Sequence, residues 1–408
     1  MNALLALDPL FDGSVSWSVL FVVVIKVVVA FVILLVAVML YIWAMRKVIA
    51  DMQNRIGPNR AGPYGVLQTL ADGIKLFFKE QSIPSSADRP VFRLAPYLSI
   101  LPAFLLFCVV PIGGERVSIL GHHTFLQVVD MPMGALFILA MSGVGLYGVM
   151  LAGWASGSKY PLLGSVRASA QLLSYEAAFG LAILGVLIQV NSLSTHDIVF
   201  GFGNHHGQYG TGWLTFFTDA YWPRTFVAFV IFLIAATAEV NHPPFDLVEA
   251  EQELVGGFNT EYTGIRFAIF FLAEFMNVIT MSAIAVTLFL GGPSGPLLGF
   301  LGAHNVVNVW FMPMLWFLGK VLALLFVTVW LRASLPRMRY DRLMALGWKY
   351  LIEGAILWVL TTAALEVGKD ENWNLPVTAA VSFGAALAAY GMLYAAMPKP
   401  GEKIEEIR

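Results

Sequence analysis

Six carboxylates crowd one stretch of this chain with no base beside them. The run AEVNHPPFDLVEAEQELVGGFNTEY holds Glu239, Asp246, Glu249, Glu251, Glu253 and Glu261 without one Lys or Arg. If a helix starts after Pro243 and Pro244, then Asp246, Glu249 and Glu253 fall within about 60° of arc at 100° per residue. Like charges that close raise one another's proton affinity, so the run reads as a proton-sharing cluster or as a solvated acidic loop. More acids stand inside apolar segments: Glu176, Glu274 and Glu353 each lie roughly 8 to 9 residues from the nearer polar boundary, about 12 to 14 Å at 1.5 Å per residue. Lys26 and Lys320 lie nearer the middle of theirs, and Glu239 is shallower. Charges in lipid cost about 2.5 to 3.5 kcal/mol or more each, so such residues mark ion or proton paths, or pairs that lock helices together.

A second polar group lies earlier in the chain. In MQNRIGPNRAGPYGVLQTLADGIKLFFKEQSIP, which follows Arg46, two Gly-Pro pairs fix turns and exclude helix through Arg60. A helix is predicted from near Tyr64, with Val66, Leu67, Leu70, Ile74, Phe77 and Phe78 on one face and Gln68, Asp72, Lys75 and Lys79 on the other. Such a helix lies in a membrane interface or packs on its own protein, and either way Asp72 and Lys75 meet polar space.

The elements that must position these groups are membrane helices. Of 408 residues, 58% are hydrophobic and only 12% charged, and the mean hydropathy is +0.76; a soluble domain carries roughly 25% charge. Spans of about 20 apolar residues are placed near Ser18–Ala44, Leu94–Ile112, Pro132–Gly153, Ala168–Val190, Thr225–Glu239, Ile265–Leu290, Val307–Leu331, Met344–Glu366 and Leu375–Ala396. The chain thus reads as all-α, one integral membrane domain over residues 1–408: a polytopic bundle of eight to nine spans with an interfacial helix after the first. Asp8 and Asp12 replace the basic start of a cleavable signal, so the first span reads as an anchor. With the N-terminus outside, nineteen of the 24 Lys and Arg fall in inside segments and three outside, the rest being Lys26 and Lys320. That asymmetry fits the positive-inside rule and a multi-pass protein of a bacterial inner membrane. Six histidines (His122, His123, His196, His205, His206, His304) then read as exposed residues of outside loops. The single Cys108, in an apolar span, leaves no basis for disulfides, zinc knuckles or cysteine-held clusters, and no metal site is expected.

Several blocks, in order, carry a resemblance: YIWAMRKVIADMQNRIGPNRAGPYGVLQTLADGIKLFFKE, GWASGSKYPLLGSVRASAQLLSYE, the acidic run above, RFAIFFLAEFMN and WLRASLPRMRYDRLMALGWK. They resemble the H subunit of NADH:quinone oxidoreductase, homologue of subunit 1 of mitochondrial complex I, over about Tyr41–Lys349. The resemblance implies a subunit that binds no cofactor itself and takes quinone as substrate, with FMN and iron–sulfur clusters in partner subunits. Its partners would be hydrophilic-arm subunits carrying the terminal cluster and the quinone headgroup site, small membrane-arm subunits, and membrane lipid, with no nucleic acid. It places Arg46, Asp72, Arg332 and Arg337 along the quinone cavity, and Glu176, Glu239, Asp246, Glu249, Glu251, Glu253 and Glu274 on an acidic path for coupling to proton translocation. The core of the family spans about residues 18–366, and Leu375–Ala396 looks like an added ninth span.

This chain departs from that family at three places. Met45 stands where the family commonly has Glu, His242 where relatives usually have Arg, and Glu353 where they are apolar or have proline. Two other classes would use similar chemistry: a membrane-bound hydrogenase complex with a homologous subunit, and a secondary ion transporter. A transporter would show internal repeats with matching broken helices, and none is apparent. The Gly-Pro and acidic loops resemble the quinone enzymes more closely than the hydrogenases.

Overall fold

In lipid a backbone has no outside partner for its amides, so an apolar chain must satisfy them within helices. The computed structural model describes residues 8, 10, 16–114, 117–119, 121–202, 205–206, 222–246, 255–296 and 307–396. Its helices are α1 (Trp17–Met52), α2 (Gln68–Phe78), α3 (Arg89–Cys108), α4 (Gly134–Ala155), α5 (Lys159–Val190), the short α6 (Thr195–Phe200), α7 (Trp222–Glu239), α8 (Ile265–Phe289), α9 (Met312–Ser334), α10 (Tyr340–Asp370) and α11 (Leu375–Ala396). Two antiparallel hairpins, Val117–Ile119 with His122–Thr124 and Gly201–Phe202 with His205–His206, are the strands among the described residues. Seven helices are long and apolar enough to cross a membrane, and Thr225–Glu239 and Pro376–Met392 are shorter apolar helices. Together they match the nine anticipated segments.

Helix ends differ from the apolar boundaries. Helix α1 runs past Ala44 to Met52 and α5 begins at Lys159, before Ala168, because the hydrogen-bond ladder continues through polar residues until the backbone turns left-handed, at Asn54 after α1 and at Gly157 before α5. Helix α2 begins at Gln68 because Tyr64, in the left-handed region at φ 53°, breaks the turn before it. Gly65 is required there: its φ is +77° and a Cβ would strike the Pro58 backbone.

The helices alternate in direction, and loops meet at two ends. At one, Asp88 N–H donates to Ala155 O (3.0 Å) and Met338 N–H to Pro244 O (3.0 Å). At the other, Ala135 N–H donates to Leu193 O (2.9 Å) and Gln127 Nε2 to Val109 O (2.8 Å). Small residues let the helices close. A Cβ on Gly164 of α5 would lie 2.7 Å from Gly257 Cα, and one on Gly148 of α4 would lie 2.8 Å from Ser99 N of α3.

Three expectations about single residues are corrected by this packing. Lys26 is buried against Asp8 (2.6 Å) and Thr124 (2.8 Å). Lys320 donates to the carbonyls of Leu290 (2.7 Å), Gly292 (3.0 Å) and Ser294 (2.7 Å). Both lysines lie at the end opposite the acidic run, so of the two readings of buried charge they take the one that caps and locks helices, not the ion or proton path. His196 is buried rather than exposed, its ring stacked 3.9 Å from Phe125, because α6 folds back beneath the loop that precedes α4. His122 and His123 do sit on a partly open hairpin.

Candidate functional site

Four of the singled-out carboxylates line one cavity. Glu176 comes from α5, Glu239 from the end of α7, Asp246 from the loop after it and Glu274 from α8. The empty volume is about 910 Å³ with its open mouth included, and Asn241 and Asn277 add neutral donors and acceptors. Ser142 Oγ of α4 donates to Glu176 Oε1 (3.4 Å) and also serves Glu239. Residue 143 is glycine, and a Cβ there would come within 3.1 Å of Glu176 Oε1. The sequence thus leaves space for a carboxylate between two packed helices.

The loop that carries Asp246 is held by a side chain that charge-based reasoning passed over. Gln171 of α5 is fully buried, and its Nε2 donates to Ala238 O (2.8 Å), Phe245 O (2.9 Å) and Asn241 Oδ1 (3.2 Å). One amide therefore fixes both ends of the turn between Glu239 and Asp246. An amide in the middle of an apolar helix was the available signal.

The acidic run has no Lys or Arg of its own, but the fold brings one to it. Arg337 Nη2 lies 3.0 Å from the buried Asp246 Oδ2, reaching over from the α9–α10 connection. Arg337 is thus an ion partner of the acidic cavity. Glu249, Glu251 and Glu253, with the proposed helix after Pro244, lie outside the described residues. Glu353 does not line the cavity, a correction to its grouping with Glu176 and Glu274.

The second polar group assembles around the C-terminal end of α1. Arg46 Nη1 donates to Asp72 Oδ2 (2.8 Å), and Gln68 Nε2 to Asp72 Oδ1 (3.2 Å). Next along α1, Met45 Sδ lies 3.6 Å from Arg332 Nη1 of α9. Arg46, Asp72 and Arg332 therefore share one region. The apolar face of α2 is left open, with Ile74 51%, Phe77 69% and Phe78 87% exposed, so this face does not pack on its own chain.

His242 joins the two groups. Its Nε2 is 3.5 Å from Arg332 Nη1 and its Nδ1 is 3.4 Å from Glu274 Oε1. The ring also lines a second, apolar cavity between α7, α8 and α9, of about 1050 Å³ with its mouth included. Among the described residues no group of three or more His, Cys, Asp or Glu is placed to hold a metal ion.

The NADH dehydrogenase family model matches residues 25–363 of the chain. The NADH-quinone oxidoreductase H subunit of Frankia casuarinae is 48% identical over 365 residues, covering 89% of this chain and 76% of the relative. The corresponding H subunit of Frankia alni is 47% identical over 392 residues, 96% of this chain and 81% of the relative. A family match that runs from α1 into α10, with relatives 48% and 47% identical over most of the chain, places the chain in the family of integral membrane H subunits of NADH-quinone oxidoreductase, the complex I subunit 1 family.

Proposed function

We propose that this chain forms part of the quinone chamber of a proton-translocating NADH:quinone oxidoreductase and couples quinone reduction to proton movement through its buried carboxylates. The observation that carries this is the acidic cavity of Glu176, Glu239, Asp246 and Glu274, joined through His242 to the Arg332 region. Redox chemistry belongs to partner subunits that hold FMN and iron–sulfur clusters, and the quinone is substrate rather than resident cofactor. A quinone's isoprenoid tail suits the apolar cavity between α7, α8 and α9, while Arg46, Asp72 and Arg332 offer donors and charge to the headgroup. Reduction to quinol takes up two protons. The charge change at the headgroup then shifts protonation in the acidic cavity, and the shift passes to neighbouring membrane-arm subunits.

The open apolar face of α2 suits a membrane interface beside that access route. The chain is placed in a bacterial inner membrane with the Arg46–Asp72 end inside and the N-terminus outside. Single cysteines at Glu80 and His123, labelled with an impermeant thiol reagent in intact cells, check this. Only the His123 position should react from outside, and labelling of the Glu80 position would reverse the orientation.

The Arg46–Asp72 pair decides the quinone role. Its side chains are 38% and 32% exposed, and a pair that open contributes at most about 1 kcal/mol to folding. Arg46→Ala and Asp72→Ala should therefore assemble, yet lower quinone reductase activity and change the apparent affinity for short-chain quinones and quinone-site inhibitors. Wild-type values for both, in assembled variants, would remove these residues from the quinone path.

A further inference from the structure

We infer that His242 is a proton-transfer residue between the apolar cavity and the acidic cavity, with Glu274 as its partner. The inference rests on the coupling role proposed above and assigns one link in it.

The geometry supplies both ends of a relay. The ring is 3% exposed, and it is held edge-on by Phe275 at 5.6 Å and 79°. Arginine can only donate, so with Arg332 beside Nε2 the neutral ring favours its lone pair there and its proton on Nδ1, towards Glu274 Oε1 at 3.4 Å. Imidazole is the side chain that takes a proton at one nitrogen and releases another from the second without net change. The ring borders the apolar cavity and Glu274 the acidic one, so the pair spans the wall between them.

The step balances. A proton arriving at Nε2 from the apolar side makes the imidazolium, and loss of the Nδ1 proton to the Glu274 carboxylate leaves neutral imidazole and a carboxylic acid. In the reverse direction the Glu274 acid gives its proton to Nδ1, Nε2 releases one to the reduced quinone or to water, and Glu274 ends as carboxylate. No electron moves in either direction. For transfer Arg332 gives up its place at Nε2, and the Nδ1–Glu274 contact, not yet a hydrogen bond at 3.4 Å, shortens by a few tenths of an ångström, since proton donors and acceptors react from about 2.6 to 3.2 Å.

Other charged groups around the ring set its surroundings. Glu274 faces it from α8 and Arg332 from α9. Tyr41 of α1, hydrogen-bonded to Thr328 (3.0 Å), lies close enough to feel both Arg332 and Glu274. Asp246, paired with Arg337, bears on Glu274 from the loop. Of these, His242 alone ordinarily changes charge between about pH 5 and 8 and also touches both groups it would connect.

Two substitutions separate transfer from packing. His242→Gln and His242→Asn each keep a polar side chain that does not titrate. Both are measured in the assembled complex in membranes, with short-chain ubiquinone and menaquinone analogues. Each should keep NADH oxidation by an artificial acceptor, lower kcat for quinone about tenfold or more, and leave KM within about threefold, as expected for lost acid–base transfer. The wild-type change of kcat between about pH 5 and 8 should vanish in both. His242→Gln combined with Glu274→Gln should be no slower than the slower single variant, since the two residues act in series. If His242→Gln fails to assemble, His242→Asn carries the test alone. A wild-type pH profile, or a kcat within twofold of wild type, in an assembled variant overturns the relay. Glu274→Gln and Glu239→Gln tell the two proposals apart: if they are impaired while the His242 variants are normal, only the relay fails. Full activity in both glutamate variants removes the coupling role as well.

Discussion

Gln171→Leu is a small change with a calculable effect. The leucine fills similar volume, and Gln171 Oε1 has no partner among the described residues, so nothing is lost on the oxygen side. On the nitrogen side Phe245 O loses its donor at 2.9 Å in a fully buried site, while Ala238 O, which loses one at 2.8 Å, still accepts from Asn241 N–H (3.2 Å). A buried acceptor left without a donor costs roughly 1 to 3 kcal/mol, so the turn between Glu239 and Asp246 is destabilised by about 1 to 3 kcal/mol. That turn is local, so its loosening should be felt at the cavity before it unfolds the bundle. Gln171→Leu should accumulate in membranes, melt at lower temperature in mild detergent, and lose most quinone reductase activity while the artificial-acceptor reaction stays normal. Gln171→Glu, which keeps one donor when protonated, should fall between the two. A Gln171→Leu variant with wild-type melting and wild-type quinone reduction would refute the clamp.

Two further predictions concern the opposite end of the bundle. Lys320→Met strips donors from the carbonyls of Leu290, Gly292 and Ser294; it should lower the melting temperature of the complex yet leave the proton-to-electron ratio of the surviving enzyme unchanged, whereas an altered ratio would return Lys320 to the proton path. Asp130 sits in the loop before α4, where burial pushes its carboxyl from 3.8 up to about 6. Because the folded value is the higher one, the folded state holds the proton more tightly, and stability is fully present below about pH 4 and lost as pH rises through 6. Asp130→Asn keeps an acceptor for Ser194 Oγ, which donates at 3.0 Å, and removes the buried charge. It should therefore melt higher than wild type at pH 8, by up to roughly 3 kcal/mol, with the gap closing by pH 4; melting scans across pH check this, and an equal gap at both pH values would contradict it.

The architecture was legible because the span signal is strong: about twenty apolar residues in lipid have one backbone solution, and every anticipated span falls on a helix. Helix ends were less legible, as Tyr64 shows, since a left-handed residue inside Gly-Pro-Tyr-Gly leaves no mark in apolar periodicity. The carboxylates of the cavity could be found because charge in an apolar segment is conspicuous, but their partners could not. Arg337 reaches Asp246 across 91 positions of sequence, and spacing along a chain carries no information about such a contact. Lys26 and Lys320 misled for the same reason. Depth in a span was readable, but which end of the bundle supplied Asp8 or the carbonyls after α8 was not. Met45 and His242 look like unrelated departures in sequence, yet in the fold both touch Arg332. Two separate oddities thus become one altered site.

The central claim is that the acidic cavity must exchange protons for quinone reduction to proceed. Glu239→Gln tests it most directly, because the amide keeps the shape of a side chain whose Oε2 is enclosed without a hydrogen-bond partner among the described residues, and it cannot take up and release a proton. The measurement is quinone reductase activity in membranes, divided by NADH oxidation with an artificial acceptor that draws electrons upstream of quinone. A protonatable link predicts that this quotient falls at least tenfold with the artificial-acceptor rate intact. A quotient equal to that of wild type, with a normal proton-to-electron ratio, would contradict it.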